Sequence, residues 1–221
     1  MKITEEFIGN SILDESLFKT IIEVGSDEIL TEIILMFFEE MKSRFEMLLQ
    51  ITEALKQGSY TEARKYLKHN GEFFYFANEM PSLRRALKSL MWGLIKTSSI
   101  STVNEIAQYK IEWNRYDNID KTQKSDNYHH YLIYQQFKKV ETLDELVKFN
   151  ALFHQYLVEM VFKLAEILIR RMTYTIEYLQ NDEAFKEVCG EATLNLRNFR
   201  NEIEKLKRRP LDINHGGTEN T

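Results

Sequence analysis

Two prolines, Pro81 and Pro210, are all that 221 residues contain, and glycine adds only 8 more breakpoints. A sandwich or barrel needs a turn about every 8–12 residues and draws on those two residue types to make it. A chain this short of turn formers cannot thread many short strands, so the expected fold class is all-α. With 43% hydrophobic residues, including 14 Phe, 11 Tyr and 2 Trp, there is ample surface to build a core.

Periodicity fills in the elements. Leu17, Phe18, Ile21 and Ile22 predict a first helix from about Asp14, closed by Gly25. Ser26-Asp27-Glu28 then opens a long helix, in which Leu30, Ile34, Phe37, Met41, Phe45, Leu48 and Leu55 recur at three- and four-residue spacing as far as Gly58. Thirty residues without Pro or Gly make a helix of about 45 Å. A third helix after Gly58-Ser59 carries Ala63, Tyr66, Leu67, Phe73, Phe74 and Ala77 on one face and stops near Met80, before Pro81. Ser82 is expected to cap a fourth with Leu83, Ala86, Leu87, Leu90, Met91 and Leu94 inward. Short turns between four such helices predict an N-terminal up-down bundle over 12–96.

Residues 97–209 form a second helical region. TSSIS at 97–101 is a polar break, followed by a helix containing Val103, Ile106, Ile111 and Trp113. Asp117 to Asn127 reads as a loop, and Tyr128 to Val140 as a helix because no other segment offers it a sheet. Thr142 and Glu145 have capping-box spacing and open a helix expected to reach Leu179. Asn181-Asp182 turns the chain into a last helix with Phe185, Val188, Ala192, Leu196, Phe199, Ile203 and Leu206 at heptad-like spacing. These two helices predict a long antiparallel hairpin at 142–209, and 210–221 reads as a disordered polar tail.

Charge and chemistry narrow the function. Residues 1–57 hold 12 acids against 5 bases, a balance of −7, whereas 196–209 hold six bases against Glu202 and Glu204, a balance of +4. The opening MKITEEFIGN lacks the layout of a signal peptide, no apolar run is long enough to span a bilayer, and one cysteine, Cys189, makes no disulfide framework. The expectation is a cytoplasmic protein without membrane insertion. No Glu stands three residues before any of the five histidines, and phosphate-loop, G-x-S-x-G and H-E-x-x-H patterns are absent. No catalytic centre, metal or cofactor is therefore expected. His154 reads as a core histidine with a satisfied nitrogen, and Cys189 as a buried structural thiol.

His69 has the most suggestive surroundings, on the flank of the third helix's apolar stripe with Lys65, Glu72 and Phe76 nearby. The run ILMFFEEMKSRFEMLLQITEALKQGSYTEARKYLKHNGEFFYFANEM places FFEE, the LKQGS turn and ARKYLKH in an order that resembles two helices of a histidine phosphotransfer domain. The resemblance covers 12–91 and implies a four-helix fold with His69 as phosphoacceptor. The family's active helix reads H-x-x-K-G, and counting from His69 puts Glu72 and Phe73 at the last two positions. A carboxylate repels a phosphoryl group, and a phenyl ring fills the space a receiver domain needs.

The reading that follows is a non-catalytic protein–protein interaction or regulatory protein, whose partner is another protein or a second copy of itself. Lys65, His69, Glu72 and Phe76 on one side, and Arg197, Arg200, Lys207 and Arg208 on the other, are the candidate contact residues. Two alternatives stand beside it. One is a phosphorelay protein using His69. The other is a nucleic-acid binder using the basic last helix.

Overall fold

The computed structural model describes residues 27–69, 80–118 and 126–210, and among them the chain is all-α, with no strand. Among the described residues seven α-helices follow in order: α1 Asp27–Lys56, α2 Tyr60–His69, α3 Met80–Ser98, α4 Val103–Trp113, α5 Asp126–Phe137, α6 Leu143–Leu179 and α7 Lys186–Arg208. A 3-10 turn, Asn114–Asn118, extends α4. No described helix is long and apolar enough to cross a membrane. The expected first helix near Asp14–Gly25 and the tail at 211–221 lie outside the described residues.

The described residues divide between two compact units. One gathers 27–50, 80–81 and 162–209; the other gathers 51–69, 82–118, 126–161 and Pro210. Both draw on separated stretches of chain, and α1 and α6 contribute to each. Residues 27–96 are thus shared between the units.

In the first unit, Phe185 at the N-cap of α7 is buried with Cys189, Ala192, Leu196, Phe199, Ile203 and Leu206 of the helix. Their alternating four- and three-residue steps keep one seam of a helix inward. The second half of α6 faces that seam with Leu164, Leu168, Met172, Ile176 and Leu179. Lys207 Nζ reaches Glu166 Oε1 at 3.2 Å, and Arg200 Nη2 donates to Thr173 Oγ1 at 2.6 Å. Seven residues forward on α6 are seven back on α7, so the pair is antiparallel. α1 joins them through Lys42 to Glu191 at 3.3 Å and through Phe45 stacked on Phe199.

In the second unit, aromatic rings link four helices. Trp92 of α3 stacks on Trp113 of α4, Tyr109 meets Trp113 and Phe137 of α5, and Phe137 meets Phe149 of α6. Trp113 and Phe137 are buried. A Cβ on Gly93 would stand 3.5 Å from the Ile133 side chain, an ordinary van der Waals distance, so α3 and α5 pack closely here.

Two helices start on the same device. Thr142 Oγ1 accepts from the Glu145 backbone N–H, while the Glu145 carboxylate accepts from the N–H groups of Glu141 and Thr142. Thr102 and Glu105 repeat this capping box ahead of α4. One local expectation is corrected. α3 already begins at Met80, so Pro81 lies in its first turn, where a missing N–H costs nothing, and Ser82 is inside the helix. On α4, Ile111 is 70% exposed and Tyr109 is buried. Leu152 faces outward from α6.

Candidate functional site

α1 ends on glycine. Gly58 sits at φ 72°, its N–H donates to Leu55 O at 3.0 Å, and the Ser59 N–H donates to Ala54 O at 2.8 Å. That pair of bonds is the Schellman closure, which needs a left-handed residue at this point. Ser59 O at once accepts from the Ala63 N–H, so α2 starts with no intervening loop. The tight corner leaves Lys56 at the end of one helix and Tyr60 at the start of the next.

Both residues lie beside His154 of α6. The Tyr60 hydroxyl is 2.9 Å from His154 Nδ1, with the two rings edge to face at 5.6 Å. His154 is 1% exposed and Lys56 4%. Burial pushes the Tyr60 phenol up to about 12, so it keeps its proton and shares a hydrogen bond with Nδ1 whose direction follows the imidazole tautomer. The other ring nitrogen, Nε2, finds no hydrogen-bond partner among the described residues. Burial first, and the charge of Lys56 second, hold the imidazole below its ordinary value. One turn back on α6, Asn150 Oδ1 accepts from Thr97 Oγ1 of α3 at 2.6 Å.

His154 is therefore a core histidine, with one nitrogen bonded and the other not. Its partner stands 94 residues away in the chain, which no local pattern can reveal. The signal available in the sequence was the Gly58-Ser59 corner, which brackets Lys56 and Tyr60. Among the described residues no group of three or more His, Cys, Asp or Glu is placed to hold a metal ion. Cys189 is buried, and burial raises its thiol, so little thiolate forms there.

The residues singled out from the sequence are placed as follows. Lys65 is exposed on α2 and pairs with Glu62 at 2.8 Å. His69 is the last residue of α2, and its side chain lies outside the described residues, as do Glu72 and Phe76 entirely. Arg197 and Arg208 are exposed on α7. Arg200 is spent on Thr173, and Lys207 bridges Glu166 and Glu204 while resting over the Phe162 ring. Lys205 pairs with Glu202 at 2.6 Å. Two of the six bases at 196–209, Lys205 and Lys207, are thus answered by neighbouring carboxylates, which weakens their attraction for phosphate.

Sequence reasoning passed over a second feature of α6. Leu152 is 61% exposed and Tyr156 51%, one helical turn apart. At roughly 100° per residue they share a face whose flank runs into Phe149 and Phe153, whose rings lie 4.4 Å apart. Gln155 and Glu159 bond each other along the other flank.

Set against protein-family models, curated proteins and solved structures, the chain matches none of them.

Proposed function

We propose that this chain is a non-catalytic helical interaction module and that the Leu152–Tyr156 face of α6 is a surface it offers to a partner protein or to a second copy. The observation that carries the reading is this pair of large side chains, more than half exposed, on adjacent turns of a helix that continues into the aromatic core. An apolar pair at i, i+4 with a polar flank is the pattern that an amphipathic helix or an apolar groove recognises. Dispersed exposed leucines need no such account, but neighbouring ones at a ring-rich edge do. The proposal includes a cytoplasmic location, which cell fractionation tests.

The test compares the parent with Leu152→Ser/Tyr156→Ser. Both side chains face water, so helix content and melting should be unchanged. Sedimentation of the purified protein measures self-association, and capture from the native cell followed by mass spectrometry measures partner recovery. The double variant should lose whichever association the parent shows. Equal association by parent and variant would refute the assignment of this face.

A further inference from the structure

The bond between Tyr60 and His154 ties the first residue of α2 to the middle of α6. α2 is ten residues long, enters directly from the Gly58-Ser59 corner and buries Ala63 and Leu67. A helix this short has little stability of its own and depends on what holds it down. We propose that the Tyr60–His154 contact is an acid-released latch: uptake of a proton by His154 lets α2 come away from α6.

The neutral imidazole has one N–H and one bare nitrogen, and Nδ1 shares a hydrogen bond with Tyr60 while Nε2 has no partner among the described residues. A second proton makes both nitrogens donors whichever tautomer precedes it, so Nδ1–H can only donate to the phenol oxygen and Nε2 must carry a hydrogen as well. The imidazolium would then be a buried cation whose Nε2–H still has no acceptor among the described residues. No carboxylate among those residues forms an ion pair with His154, and the facing charge, Lys56 from α1, has the same sign. From α2 the titratable group that faces it is Tyr60, which stays neutral. One turn away along α6, Asn150 and Val158 are uncharged, and so is Thr97 of α3, bonded to Asn150. A buried cation met by a second cation gains most by reaching water. In this corner that requires α2 to lift away with Tyr60.

The sign follows from where the proton binds more readily. The open form binds it near the ordinary histidine value, about 6.5, and the closed form lower. The latch is therefore fully closed above that value and weakens as pH falls below it. Because one proton is involved, opening can rise by up to about tenfold per pH unit.

Hydrogen exchange of the α2 amides in the full chain, from pH 8 to pH 5 and corrected for the intrinsic pH dependence of exchange, reads the latch. Protection of residues 61–69 should fall below about pH 6.5, while that of the buried α7 seam holds. His154→Gln keeps an acceptor for Tyr60 but cannot titrate, and it should leave α2 protected throughout. If that variant folds poorly, the imidazole resonances of the parent serve in its place: His154 should titrate over the same interval in which α2 opens. Protection that stays flat to pH 5, or that falls equally in His154→Gln, would overturn the proposal.

Discussion

The ring of Phe45 lies nearly parallel to that of Phe199, with centroids 4.2 Å apart and planes 11° from coplanar. Both residues are buried, at 3% and 2% exposure, and the stack locks α1 to the seam of α7. Phe199→Ala would empty a ring-sized volume there and should cost about 3–5 kcal/mol, read as a lower urea midpoint. Phe45→Leu and Phe199→Leu, measured singly and together, should show a coupling of about 1 kcal/mol beyond the area lost. Additive effects would mean the two rings are neighbours only.

Two glycines should respond in opposite directions to alanine. Gly58 occupies φ 72°, where a Cβ meets the following carbonyl, so Gly58→Ala should destabilise by about 1–2 kcal/mol. Gly190 lies inside α7 with nothing within 4 Å of an added Cβ. There the substitution should stabilise by about 0.5–1 kcal/mol through helix propensity and the reduced freedom of the unfolded chain. Paired thermal melts decide it. A loss at both sites would show that Gly190 has a packing role its surroundings do not suggest.

Much of this architecture was legible because it is local. The bounds of α1 and α6 follow from uninterrupted periodicity between Gly58, Thr142 and the Asn181-Asp182 turn. The seam of α7 is written in its four-and-three spacing. Where local rules compete, the sequence was ambiguous. Pro81 can end one helix or begin another, and it lies in the first turn of α3. Tyr109 is ambiguous in sequence because it joins a hydroxyl to an apolar ring, yet its ring meets both Trp113 and Phe137. The Tyr60–His154 contact was out of reach for a different reason. It is set by how α2 packs on α6, and packing between helices far apart in sequence leaves no mark in either one's periodicity.

The capping boxes predict an acid sensitivity separate from that of His154. The Glu145 carboxyl is held below its usual value by the backbone N–H groups of Glu141 and Thr142, foremost among several causes. A lowered carboxyl contributes stability that is present above about pH 4.3 and lost as pH falls through its folded value. Glu145→Gln should therefore melt below the parent at pH 7, with the gap narrowing as pH falls below about 4.3. Thr142→Ala removes the hydroxyl acceptor and should cost about 1 kcal/mol at any of these pH values. A gap that stays constant between pH 7 and pH 3 would mean the carboxylate does not cap α6.

His69 separates the interaction reading from a phosphorelay. Under the first, His69→Ala should leave association through Leu152 and Tyr156 untouched, and stability should shift by less than about 0.5 kcal/mol, the usual scale for a substitution at a helix terminus without a cap. Under the second, the same change must abolish phosphoryl transfer completely, because no other residue described in α2 offers an imidazole. Glu72 and Phe73, at the positions where the phosphotransfer pattern has Lys and Gly, argue for the first outcome. If they are what blocks the chemistry, Glu72→Lys should raise any residual phosphorylation by removing the like charge beside the phosphoryl group. The measurement is acid-labile phosphate on the chain after incubation with a phosphorylated receiver protein. None is expected on the parent. Stoichiometric phosphate on His69 would reverse the choice, and the Leu152–Tyr156 face would then be sought as the receiver's docking surface rather than as the whole of the function.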